Sequence, residues 1–154
     1  MIDFSKFEKI VNVSFKDKSL LKQAFTHRSF VNENKSFTLG HNERLEFLGD
    51  AVLELVVTEY LYSKYPLATE GDLTSYRSAL VNAVTLSEVA RKLNVNEFLL
   101  LSKGEAKDEG RARLYILANT IEAIIGAIFL DQGYETTKNF ISKNTFHLID
   151  KIVE

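Results

Sequence analysis

Asn42-Glu43-Arg44-Leu45-Glu46-Phe47-Leu48-Gly49-Asp50-Ala51-Val52-Leu53 is the stretch on which the reading of this chain turns. It predicts the first half of a helix running to about Tyr62. The apolar density from Ala51 to Tyr62 marks a buried central helix, apolar nearly all round, rather than a surface one. At about 100° per residue, Glu43, Glu46 and Asp50 fall within an arc of roughly 60°. Leu53 and Val57 continue the same stripe, so the acids line a face that becomes core one turn later. Asn42 is placed to cap the helix. Gly49 costs a helix interior about 1 kcal/mol relative to Ala, which points to close approach by another backbone.

Three half-buried acids on one stripe repel each other and lose hydration. Two arrangements relieve this. The acids can be a cap and exposed charges paired with Lys or Arg at i,i+3 and i,i+4, or they can hold a hard divalent cation, which takes carboxylate oxygens and keeps some of its water. The apolar continuation and Gly49 favour the second. A related pattern recurs at Leu114–Leu130, the other strongly apolar helix. Asn119 and Glu122 sit three apart there, with Tyr115 and Gly126 extending their stripe and small residues at Ala118, Ala123 and Gly126 permitting tight packing. If the two helices cross at their glycines, four or more side-chain oxygens converge at one point.

The bulk properties narrow the field. A chain of 154 residues is enough for one domain with a real core. The absence of cysteine excludes a disulfide framework, a zinc–thiolate site and a cysteine nucleophile. No apolar run reads as long enough to span a bilayer and the N-terminus lacks a signal-peptide pattern, so no membrane partner and a cytoplasmic location are expected. With a net charge of −2, any nucleic-acid role must rest on local basic patches, metal ions or a further module. Helical periodicity recurs throughout and two-residue alternation does not. The expected fold class is all-α.

Around the two central helices, Phe4–Val11 predicts a short amphipathic helix. Asp17 or Ser19 caps a second, with Leu20, Leu21, Ala24 and Phe25 inward. His27 reads as a satisfied structural group, and Val31–His41 as a polar loop. Thr69 opens a helix with Glu70 and Asp72 in its first turn, where Glu70 is either a dipole partner or a contributor to the site. Ala79, Leu80 and Val84 read as core-facing, with a turn near Val81-Asn82. Lys103–Arg113 is charged and carries two glycines. It is either a solvated loop or a mobile phosphate-contacting segment built on Lys103, Lys107, Arg111 and Arg113. A last helix is predicted over Thr136–Ile152.

Asn42–Leu53 resembles the signature of the ribonuclease III family of double-stranded-RNA endonucleases, which includes Dicer. The resemblance covers nearly the whole chain. Thr26-His27-Arg28-Ser29 is similar to the family's early motif, Glu70-Gly71-Asp72-Leu73-Thr74 to the start of its post-signature helix, and Ile116-Leu117-Ala118-Asn119-Thr120-Ile121-Glu122-Ala123 to its second catalytic motif. The resemblance implies a helical-bundle endonuclease domain over residues 1–154, forming a two-fold homodimer, with no double-stranded-RNA-binding domain in this chain. It implies metal ligation by Glu46, Asp50 and Glu122, with Glu43 at the edge of the site. The family's fourth acid is an Asp, where this chain has Asn119. An amide keeps a carbonyl oxygen but loses the charge, so a cation should be held less tightly.

The implied function is metal-dependent hydrolysis of double-stranded RNA, leaving 5′-phosphate and 3′-hydroxyl ends with short 3′ overhangs, in RNA processing such as rRNA maturation. Mg²⁺, or Mn²⁺ in its place, is the implied cofactor. Glu46 and Glu122 would be its central ligands, with Asp50 and Asn119 completing or orienting the shell. Phe47 is the candidate dimer anchor, an intrachain core position being the other reading. The alternative function is a catalytically impaired duplex-RNA-binding dimer, disabled by Asn119.

Overall fold

The computed structural model describes residues 1–153. Its axis is a pair of long helices, α4 (Glu43–Lys64) and α8 (Arg111–Gln132), whose mutual contact is the most extensive in the fold. The other helices are α1 (Ser5–Val11), α2 (Lys18–Ala24), α3 (Arg28–Glu33), α5 (Glu70–Val81), α6 (Ala83–Lys92), α7 (Lys103–Lys107), α9 (Tyr134–Thr145) and α10 (Ile149–Val153). Two 3-10 turns, Val95–Phe98 and Phe146–Leu148, complete the set. Among the described residues there is no strand, only an isolated parallel bridge between Thr26 and Leu100. The all-α expectation holds.

Glycine sets the closeness of the central crossing. A Cβ on Gly49 would overlap the carbonyl oxygen of Glu122, and one on Gly126 the carbonyl oxygen of Leu45. Each helix therefore lays its backbone against the other, as the cost of a mid-helix glycine leads one to expect. Leu53, Val56 and Val57 of α4 and Leu117, Ile121, Ile124, Ile125 and Ile128 of α8 are at most 1% exposed around this contact. α2, α6 and α9 enclose α8, and α5 packs on α4. Phe4, Phe7, Phe25 and Phe98 form an aromatic cluster joining α1 and α2 to the first 3-10 turn.

Several expectations are corrected. α4 is not buried all round: Leu55 is 57% and Tyr62 75% exposed, so one side of the helix is uncovered. Asn42 occupies the N-cap position but does not cap with its side chain. It is buried, and its amide donates instead to the Ala24 carbonyl at 2.8 Å. Val31–Glu33 belong to α3 rather than to a loop, because His27 caps that helix. Val84 is exposed; Leu86, Val89 and Ala90 carry the inward face of α6. The closing helix is broken, which lets Phe146 stack on Tyr60 with ring centroids 3.7 Å apart and buries Ile149. Finally, α8 is long and apolar enough to cross a membrane by length and composition, contrary to the sequence expectation, but most of it is buried inside the fold.

Other local readings agree with the structure. Asp17 caps α2 by accepting from the Ser19 N–H, Thr69 caps α5 by accepting from the Asp72 N–H, and Asn82 separates α5 from α6 while capping the latter.

Candidate active site

The face of the α4–α8 crossing that the glycines leave open is a cavity of about 540 Å³. Glu43, Glu46 and Asp50 line it from α4, and Asn119 and Glu122 from α8. His27, Arg28 and Phe47 also contribute to its lining. The periodicity of α4 carries its acids onto one stripe, and the backbone contact at Gly49 and Gly126 brings that stripe opposite Glu122.

The electrostatics follow from crowding. Burial, a hydrogen bond with Asp50 and the charges of Asp50, Glu46 and Glu54 push the Glu122 carboxyl up to about 9. Burial, then Glu43 and Asp50, also raises Glu46. Without a compensating cation, Glu122 thus keeps its proton near neutral pH, the usual response of like charges held together.

The donor set is all oxygen, which fits a hard cation in kind. Among the described residues, no three His, Asp or Glu side chains are gathered closely enough to form a cation site as they stand. Holding a cation would require Glu122 to lose its proton and the carboxylates to draw inward. Glu70 does not line the cavity; it is exposed in the first turn of α5.

The family profile described as Ribonuclease-III-like matches residues 17–149. The chain belongs to the ribonuclease III family. Ribonuclease 3 of Bacillus licheniformis is 48% identical over 147 residues, covering 96% of this chain and 59% of that protein. Ribonuclease 3 of Streptococcus gordonii is 52% identical over 127 residues, covering 82% of this chain and 55% of that protein. The chain thus spans less than two thirds of the length of these curated relatives. The nuclease domain of ribonuclease III from Campylobacter jejuni superimposes with a TM-score of 0.82 at 46% identity, covering 92% of this chain and 98% of that one. Dicer from Pichia stipitis gives a TM-score of 0.66 at 30% identity, covering 91% and 59%.

In this ribonuclease III domain, the basic segment divides. Lys103, Lys107 and Arg111 are exposed and lie outside the cavity lining. Arg113 departs from the expectation of a phosphate contact. It is 4% exposed, and its guanidinium donates to Asn96 Oδ1 at 2.7 Å, the Glu105 carbonyl at 2.9 Å and Glu109 Oε1 at 3.4 Å. It clamps the segment rather than reaching solvent. The signal that could have found this is spacing, since Arg113, Ile116, Leu117 and Thr120 share the inward face of α8. Phe47 is 81% exposed, which removes the core reading for it. The sequence reading singles out the motif of His27 and Arg28 but does not place either residue in the site.

Proposed function

We propose that this chain is the catalytic domain of an endoribonuclease that hydrolyses double-stranded RNA as a homodimer with a divalent cation. The observation that carries the proposal is the convergence of Glu46, Asp50, Asn119 and Glu122 on one cavity at the α4–α8 crossing of a ribonuclease III domain. Glu46, Asp50 and Glu122 would hold the cation, with the Asn119 carbonyl completing the set and Glu43 at its edge. Bound Mg²⁺, or Mn²⁺, would supply an activated water and neutralise charge at the scissile phosphate. Gly49 and Gly126 hold the two halves of the donor set at a fixed separation.

Phe47 supports the dimer: it is 81% exposed and lines a groove with Leu20, Leu45, Leu48 and Leu130, an apolar patch of the kind a partner surface covers. The Campylobacter jejuni nuclease domain has a region involved in dimer formation. A two-fold dimer would present one site to each strand of a duplex, whose strands are related by local two-folds. Recognition would be of A-form shape, phosphate and 2′-hydroxyls, with Lys103, Lys107 and Arg111 as phosphate contacts. Products with 5′-phosphate and 3′-hydroxyl ends and short 3′ overhangs, and cytoplasmic rRNA maturation as the setting, belong to the same proposal.

The second reading, a duplex-RNA-binding dimer with impaired chemistry, is favoured by one observation: an amide, Asn119, lines the cavity beside the acids. Cleavage of a labelled duplex RNA in Mg²⁺ and in Mn²⁺ decides between them. Cleavage by the chain that Glu122→Gln abolishes supports the first. No cleavage by the chain, restored in Asn119→Asp, supports the second.

A further inference from the structure

His27 has a structural task on one edge of its ring and an unused group on the other. As the N-cap of α3, its Nδ1 accepts the Ser29 N–H at 3.2 Å and lies 2.8 Å from Ser29 Oγ. A backbone N–H can only donate, so Nδ1 is an acceptor and the proton of the neutral ring is assigned to Nε2. Ser29 Oγ in turn accepts the Ser102 N–H at 3.0 Å, leaving its own proton for Nδ1. The backbone is pinned as well, since the His27 N–H donates to the Leu100 carbonyl at 3.0 Å. Burial lowers the affinity of the ring for a second proton, with Glu105 and Glu43 opposing and Arg28 and His41 assisting.

Nε2 has no hydrogen-bond partner among the described residues and is not a buried unsatisfied atom. His27 lines the acid cavity. Of the neutral donors there, Asn42 Nδ2 bonds the Ala24 carbonyl and Thr120 Oγ1 the Ile116 carbonyl, which leaves the Asn119 amide beside His27, while the cationic Arg28 lies 3.8 Å from Glu43 Oε2.

We propose that His27 presents a fixed Nε2–H donor to a phosphate oxygen of an RNA strand entering the acid cavity. This rests on the duplex-RNA reading above. In a cavity dominated by carboxylates, an oriented donor offers one of few favourable contacts to an incoming phosphate. The N-cap bond holds the tautomer as well as the ring orientation, so the structural and substrate-facing roles are coupled through one imidazole.

The two edges can be separated by substitution. His27→Asn keeps an acceptor for the Ser29 N–H but loses the outer donor. His27→Gln places an amide N–H near the Nε2 position but loses the cap geometry. Thermal unfolding and fluorescence-anisotropy binding of a labelled duplex RNA in Ca²⁺ are measured for the full chain. His27→Asn is expected to melt near the wild type yet bind RNA about tenfold more weakly, while His27→Gln melts lower and retains more binding. Wild-type binding by His27→Asn overturns the contact, as does RNA binding that follows melting temperature in both variants. A wild-type chain that neither binds nor cleaves duplex RNA overturns the parent reading and this contact together. An equal His27→Asn penalty on a strand with 2′-deoxy sugars supports phosphate as the acceptor; its disappearance there overturns that assignment.

Discussion

Helices α4 and α8 are each 22 residues long, and each gives up a side chain where they touch. They are nevertheless covered very differently. Twelve residues of α8 are buried against seven of α4. α8 is surrounded by α2, α4, α6 and α9, whereas α4 leaves Phe47, Leu55 and Tyr62 outward. One helix serves as the axis of the fold, and the other joins that axis to an outer surface. The acid cavity lies between them, so its geometry depends on both the buried contact and whatever covers the outward side of α4.

The largest effect should come from closing the gap that glycine leaves. Gly49→Ala forces a Cβ into the Glu122 carbonyl and is expected to cost about 3 kcal/mol or more, read from urea unfolding. An unchanged midpoint would mean that the helices separate freely, and that the cavity has no rigid floor.

Phe47→Ala tests the uncovered side of α4. Because Phe47 is so exposed in the single chain, its loss should leave monomer stability nearly unchanged. Its effect should appear as roughly tenfold or greater weakening of the dimer in sedimentation experiments. A chain that is monomeric at micromolar concentration with Phe47 intact would leave the exposed side of α4 without the partner proposed for it.

Glu122→Gln tests the crowding in the cavity through a stability difference that depends on pH. The folded-state value for Glu122, about 9, lies above the ordinary 4.5, so the folded chain binds this proton more tightly than the unfolded one. That contribution is fully present below about 4.5 and is lost as pH rises towards 9. Without metal, the melting temperature of Glu122→Gln should therefore exceed that of the wild type by a growing margin as pH is raised across this window. A constant difference from acid to alkaline pH would show that the carboxylates do not strain one another.

Helical periodicity makes much of this legible in the sequence. Glu43, Glu46 and Asp50 have to share a stripe with Leu53 and Val57, and a glycine in the middle of each long helix marks the crossing, because both depend on the geometry of a single helix. Periodicity places Arg113 on the inward face of α8 but does not name the groups that satisfy its charge, because Asn96, Glu105 and Glu109 lie outside that helix. Asn42 escapes the local pattern because the Ala24 carbonyl, distant in sequence, competes for its side chain. The exposed Leu55 and Tyr62 have the same cause: local pattern decides which residues lie on one side of a helix, but only the packing of other segments decides whether that side is covered.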